Sequence, residues 1–248
     1  GIIQHINLVK LIGFCCEGDR RLLVYEHMPN LSLDTHLFHS DATVLKWSIR
    51  YQIALGVARG LAYLHDSCQD CIIHCDIKPE NILLDASFVP KIADFGMAKF
   101  LGREFTQVLT TMRGTIGYLA PEWISGTVIT SKVDVYSYGM VLLEIISGTR
   151  NSSKEFATRD DYEYFPVLVA HKLLDGDAGS LVDQKLHGDV DLEQVERAFR
   201  VACWCIQDNE LDRPTMSEVV QYLEGLLEVG IPPVPRLLQA IAGNPYSK

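Results

Sequence analysis

The sequence predicts an α+β chain: a short β-hairpin first, then a long and mostly helical remainder. Three observations predict it. Two β-prone apolar runs flank the polar turn Glu17-Gly18-Asp19-Arg20, apolar residues recur at helical spacing through residues 47–65, and residues 134–146 are apolar nearly all round. Side chains alternate across a strand and return to one face of a helix every three or four residues, so these periods separate the two kinds of element.

The hairpin is assigned to residues 8–14 (Leu-Val-Lys-Leu-Ile-Gly-Phe) and 21–26 (Arg-Leu-Leu-Val-Tyr-Glu). Two strands alone are marginal in water and leave an unpaired edge, so this hairpin is expected to need more sheet than the chain supplies. Pro29-Asn30 breaks the strand pattern and opens the helical part. Ile53, Val57, Leu61 and Leu64 mark one face of an amphipathic helix over residues 47–65. A Thr- and Gly-rich loop region follows, from about residue 100 to 130. Residues 134–146 read as a buried central helix. Residues 150–164 are polar with no apolar period and read as an exposed, mobile loop. Three more helical segments follow at 167–174, 192–206 and 215–228, the last with Pro214 at its start. Pro232-Pro233-Val234-Pro235 reads as an extended terminal linker rather than a docking motif.

Length and composition fit a globular domain with a sizeable core: 248 residues, 48% hydrophobic and 22% charged. A net charge of -10 argues against nucleic acid or an anionic membrane surface as the main partner. The seven cysteines are odd in number and scattered, which suits a reduced, cytosolic compartment better than a disulfide framework. Cys68 and Cys71 have metal or redox spacing, but no second such pair follows, so plain thiols are the expectation. Asn151-Ser152-Ser153 matches a glycosylation sequon that would be silent in the cytosol. No run of 18 apolar residues is present and no signal peptide is recognised.

The chemistry concentrates in Ile73-His74-Cys75-Asp76-Ile77-Lys78-Pro79-Glu80-Asn81-Ile82-Leu83-Leu84, with Ala93-Asp94-Phe95-Gly96 just behind. Transfer of a γ-phosphoryl group needs its charge neutralised by metal, the metal held by oxygen, and the attacking hydroxyl aimed. Asp76 can accept the hydroxyl proton, and Lys78 can reach the γ-phosphate. Asn81 and Asp94 offer the hard oxygens that Mg²⁺ prefers. The apolar pairs Ile72-Ile73 and Leu83-Leu84 read as short buried strands bounding the loop. His74 is assigned a packed, structural role.

These residues resemble the catalytic loop and metal-binding turn of protein kinases, specifically the plant receptor-like Ser/Thr group, and the resemblance runs over about residues 5–230. The resemblance implies a kinase-like fold: residues 1–28 as the remnant of the small N-terminal lobe and hinge, 29–230 as the helical C-terminal lobe, and 231–248 as a tail. Gly114-Thr115-Ile116-Gly117-Tyr118-Leu119-Ala120-Pro121-Glu122 resembles the segment that closes the activation loop and receives the substrate, while Asp134-Val135-Tyr136-Ser137-Tyr138-Gly139 and Leu211-Asp212-Arg213-Pro214 resemble scaffold motifs. It further implies a buried Glu122–Arg213 ion pair, and hydrogen bonds to Asp134 from the backbone around His74. ATP and Mg²⁺ are the implied cofactors. Glu26, His27 and Met28 would offer backbone groups to the adenine, with Tyr25 just behind and Leu83 beneath the ring. Lys78 and Thr115 favour a Ser or Thr acceptor on a protein substrate. His27-Met28-Pro29-Asn30, Trp123-Ile124-Ser125-Gly126 and Ala202-Cys203-Trp204-Cys205-Ile206-Gln207 are similar to the lectin-type subgroup, which implies a full-length receptor tethered to the plasma membrane with this segment on its cytoplasmic side.

The chain departs from that family twice. Cys75 stands where the loop usually carries an Arg that clamps a phosphorylated activation-loop residue, so phosphorylation of Thr106, Thr110 or Thr111 is not expected to act through this position. The phosphate-covering Gly-rich loop, an upstream strand lysine and its glutamate partner are not in this sequence, which also begins with Gly1. The expectation is a piece of a longer protein that by itself binds ATP poorly and transfers little phosphate. The alternatives are a pseudokinase-like binding module, favoured by Cys75 and opposed by Asp76, Lys78, Asn81 and Asp94, and a small-molecule phosphotransferase, opposed by the peptide-receiving segment.

Overall fold

A computed structural model describes residues 3–39, 43–101, 115, 117–126, 128–152 and 164–242. The described strands make three separate antiparallel pairs. The hairpin strands β1 (Leu11–Glu17) and β2 (Arg20–Tyr25) pair with each other. β3 (Cys71–Ile73) pairs with β6 (Lys99–Leu101), and β4 (Ile82–Leu84) with β5 (Pro90–Ile92). The hairpin is shifted from the expected bounds: Cys15, Cys16 and Glu17 continue β1, and Glu17 pairs with Arg20 across a two-residue turn. Residues 7–9 instead form an arm on β5, where Val9 N donates to Ile92 O at 2.9 Å and Ile92 N to Asn7 O at 2.9 Å. Leu8 is therefore buried.

The helical part begins with α1 (Leu33–Phe38) and α2 (Trp47–Ala62). α2 ends three residues before the expected limit, and Tyr63–Ser67 turn as a π-helix. α3 (Pro121–Ser125) precedes α4 (Lys132–Ser147), and α5 (Phe165–Leu174), α6 (Leu192–Cys205), α7 (Met216–Leu223) and α8 (Arg236–Ala242) complete the described helices. Every residue of α4 from Val133 to Ser147 is buried, as its unbroken apolar sequence requires. α4 packs against α2 and α6, and α6 packs in turn against α5 and α7. α4 and α6 approach closely at Gly139, where an added Cβ would lie 2.7 Å from Cys205 Cβ and 2.9 Å from Ala202 O.

Three expectations are corrected here. The final helical segment was expected to run to residue 228, but α7 stops at Leu223 because Gly225 takes φ +73°. Leu226 N then bonds Gln221 O and Gly225 N bonds Tyr222 O, which closes the helix end. At its start Thr215 and Glu218 form a capping box. The tail is docked rather than free: Trp204 Nε1 donates to Gly230 O at 3.0 Å and Gln207 Nε2 to Pro233 O at 2.9 Å, with Pro232, Pro235 and Leu238 buried. The start of the 150–164 segment is also held. Asn151 is buried and donates through Nδ2 to Met140 O at 2.9 Å, a bond that leaves the sequon nitrogen inside the core; residues 153–163 lie outside the described residues. All seven cysteines are free thiols. Among the described residues no helix is long and apolar enough to cross a membrane.

Candidate active site

Two short antiparallel strand pairs, β3 with β6 and β4 with β5, present the site. β3 and β4 bracket residues 74–81, and the Ile82 and Leu84 side chains are fully buried, which fixes the end of the loop. The loop is bent at Cys75, whose φ of +67° is rare for a residue with a side chain. Asp134, fully buried on α4, holds that conformation: its Oδ2 accepts from His74 N at 2.7 Å and its Oδ1 from Cys75 N at 2.8 Å. His65 Nε2 bonds the same carboxylate at 2.9 Å. The hydrogen bonds to Asp134 implied from sequence are thus present, with His65 as an additional partner. His74 is fully buried, stacks edge-on against Phe95 and bonds Ala93 O through Nε2 at 2.9 Å. Burial holds its pKa below the usual imidazole value, which keeps it neutral and suits a structural role.

Asp76 is the centre of the site. Thr115 Oγ1 donates to Asp76 Oδ1 at 3.0 Å, Asn81 Nδ2 donates to Asp76 Oδ2 at 3.0 Å, and the Lys78 ammonium lies 2.8 Å from Oδ2. Lys78 Nζ also donates to Thr115 Oγ1 at 2.9 Å. Burial pushes the Asp76 pKa up, but the hydrogen bonds from Lys78, Thr115 and Asn81 outweigh it and leave the group below the usual carboxylate range. Asp76 is therefore ionised at neutral pH. Thr115, 39 residues from Asp76 in sequence, joins the loop through these two side-chain contacts, to Asp76 and to Lys78. Thr106, Thr110 and Thr111 lie outside the described residues, as do Gly114 and Ile116 of the segment expected to receive the substrate.

Asn81 and Asp94 are brought together by Ala93 N, which donates to Asn81 O at 2.9 Å. The Asn81 amide nitrogen is turned to Asp76 O and Oδ2, so its oxygen points the other way. Asp94 is exposed, takes φ +61°, and one of its oxygens accepts from Gly96 N at 3.2 Å. A carboxylate and an amide oxygen are hard donors of the kind Mg²⁺ prefers, so these two residues could hold such an ion. Just past β2, Glu26 N donates to Lys10 O at 3.0 Å while the Glu26 side chain accepts from Lys10 N at 2.8 Å. Neither the Glu26 carbonyl nor the Met28 N–H is bonded to a described residue. Leu83 is half-buried between the fully buried Ile82 and Leu84, so it faces the opposite side of β4. Cys75 is buried with Sγ 3.7 Å from Ile73 O, and burial, with Asp134 adding to it, pushes the thiol pKa far up.

The sequence analysis implied the buried Glu122–Arg213 pair, and it forms as two parallel bonds of 2.6 and 2.9 Å. It missed two other polar clusters. Arg50 and Asp183 form a buried pair at 2.5 Å that ties α2 to the segment between α5 and α6, with Arg50 Nη1 also donating to Ile145 O of α4. Glu144, Tyr118, Arg150 and Glu80 form a chain of contacts beside the catalytic loop. Burial pushes the Glu144 pKa up to about 7 despite its bonds from Tyr118 and Asn151. The only sequence signal for these clusters was a charged residue inside an apolar run, as at Arg50 and Glu144.

Comparison with known proteins finds relatives along nearly the whole of this chain. The chain is 63% identical over 246 residues to the G-type lectin S-receptor-like serine/threonine-protein kinase At2g19130 of Arabidopsis thaliana, covering 97% of this chain and 30% of the relative. It is 53% identical over 253 residues to the G-type lectin S-receptor-like serine/threonine-protein kinase SD2-2 of the same plant, covering 99% and 32%. A third relative, G-type lectin S-receptor-like serine/threonine-protein kinase LECRK2 of Oryza sativa subsp. indica, is 47% identical over 235 residues, covering 93% and 28%. The chain thus spans about a third of the length of these relatives. The protein kinase domain pattern matches residues 2–223, and the chain belongs to that family.

Proposed function

We propose that this chain supplies the catalytic loop, metal-binding turn and acceptor-binding segment of a receptor-like kinase that moves the ATP γ-phosphoryl group to Ser or Thr hydroxyls of proteins. The observation that carries the reading is the convergence of Lys78, Thr115 and Asn81 on Asp76. Asp76, held ionised, orients the acceptor hydroxyl and receives its proton as the bond to phosphorus forms. Its low basicity suits a loose transition state in which that proton leaves late. Lys78 sits within reach of the transferred group's negative charge while its bond to Thr115 fixes the acceptor segment. Bound Mg²⁺ would neutralise phosphate charge, with Asn81 and Asp94 holding it. The Glu26 carbonyl and Met28 N–H supply the backbone groups for adenine, with Leu83 beneath the ring. Membrane tethering of the whole protein is part of the same reading and is supported by the receptor-like relatives.

A binding module without catalysis is the second reading, favoured by Cys75 and by the exposed hairpin. Phosphate incorporation from Mg-ATP into a Ser/Thr peptide separates the two, measured on this chain joined to the coding sequence upstream of Gly1. Transfer that Asp76→Asn abolishes supports the kinase; no transfer by either protein supports the binding module.

A further inference from the structure

Arg150, just past the end of α4, bridges four parts of the molecule. Its Nη2 donates to Glu80 Oε1 at 2.6 Å, and its Nη1 donates to Tyr118 Oη at 2.8 Å and lies 4.0 Å from Glu144 Oε2. Its guanidinium carbon sits 4.0 Å above the Phe38 ring of α1. Tyr118 Oη in turn donates to Glu144 Oε2 at 2.7 Å. Two carboxylates thus converge on one guanidinium that comes from the chain itself.

The position of this cluster gives it meaning. Glu80 stands four residues after Asp76, in the turn Pro79–Asn81 whose last residue is bonded back to Asp76. Tyr118 stands three residues after Thr115, which bonds Asp76 from the other side, and Tyr118 N donates to Thr115 O at 3.1 Å. A peptide that delivers a hydroxyl to Asp76 therefore runs past Glu80 and the Thr115–Tyr118 turn. The Glu80 and Arg150 side chains are 40% and 35% exposed, so the pair lies open to such a peptide, whereas Glu144 is buried beneath it. A free carboxylate at Glu80 would attract a cationic residue of the acceptor, and a guanidinium fork would suit it best.

We propose that Arg150 is a specificity-determining residue of the acceptor groove: by occupying Glu80 and covering Glu144 it denies both carboxylates to basic side chains of the acceptor protein. The groove then takes Ser and Thr hydroxyls without requiring a neighbouring cation. This inference rests on the protein-kinase reading of the same site. A purely structural tie would cost stability when broken but would not change the charge preference for peptides.

The test is binding of fluorescein-labelled peptides to the chain by anisotropy. The peptides share one Ser and differ by a single Arg, or its neutral isostere citrulline, placed in turn at each of the three positions on either side. The expected ratio of Kd values is within about twofold for the unaltered chain at every position. Arg150→Met is expected to bind the Arg peptide at least about fivefold tighter at one position or more, and adding Glu80→Gln is expected to return that ratio to within about twofold. Arg150→Met without any preference, or a preference that survives Glu80→Gln, overturns the proposal. Should Arg150→Met lose its helical circular dichroism, Glu80→Gln alone reads the pair from the other side. Releasing Arg150 is expected to make a Glu-bearing peptide bind at least about threefold tighter than its Gln counterpart, and equal binding overturns the proposal. Peptide affinity does not depend on phosphate transfer, so a failure here leaves the kinase reading standing, and loss of that reading shows separately in the Asp76→Asn assay.

Discussion

Cys75 joins a strained backbone to an inert side chain. Its positive φ aims the N–H at Asp134, while its thiol is buried and held neutral by desolvation. An Arg paired with a phosphorylated residue gains about one to three charge-assisted hydrogen bonds, each worth roughly 1.5–3 kcal/mol. A neutral thiol gains none of these. Replacing Thr106, Thr110 and Thr111 together by Ala is therefore expected to leave phosphate transfer within about threefold of the unaltered protein. Loss of transfer with an unchanged circular dichroism spectrum would refute this. At this scale the sequence was most informative where chemistry demands fixed spacing along a few residues, as in Asp76, Lys78 and Asn81. It was least informative for Arg150, whose partners Glu80 and Tyr118 lie 70 and 32 residues away, in a polar segment with no period. The Arg50–Asp183 pair spans 133 residues and was equally hidden.

α4 organises the helical part, and its side chains also reach the site. Asp134 near its start pins the backbone at His74 and Cys75, and Glu144 near its end anchors Tyr118 behind Thr115. Its position depends on close contact with α6 at Gly139, where no Cβ fits against Cys205 and Ala202. Gly139→Ala raises helix propensity by roughly 1 kcal/mol yet forces two backbones apart, at a cost of about 1–3 kcal/mol from overpacking. The net is expected to be a loss, read as a fall of about 2–6 °C in Tm. A rise in Tm would mean that α4 and α6 have room to separate. The apolar run of α4 was legible because a helix buried on all sides needs no polar face. Helix ends were legible less often: α7 stops at a left-handed Gly225, and α2 passes into a π-turn, where apolar spacing continues unchanged.

At the scale of the whole molecule, the described residues divide into a well-packed helical body and a hairpin that packs on little. Leu11, Ile12, Phe14, Leu22, Leu23, Val24 and Tyr25 are all exposed, between 39% and 74%. Few buried contacts mean a low local opening free energy, so the amides of β1 and β2 are expected to exchange hydrogen at least about a thousandfold faster than those of α4. Equal protection in hydrogen-exchange measurements would show that the hairpin is covered in solution. The sequence conveyed the hairpin and its need for more sheet, because alternation and turn residues are local. The docking of the tail was not legible, since Pro232-Pro233-Val234-Pro235 carries no sign of the Trp204 and Gln207 side chains that hold it. Assigning Asp76 as the group that orients the acceptor hydroxyl is central to the function. The most direct measurement is the rate of phosphate transfer from Mg-ATP to a Ser/Thr peptide by this chain joined to the coding sequence upstream of Gly1. Asp76→Asn keeps the shape and removes the charge, and the rate is expected to fall by about 100- to 10,000-fold. An unchanged rate in a folded Asp76→Asn protein would contradict the assignment.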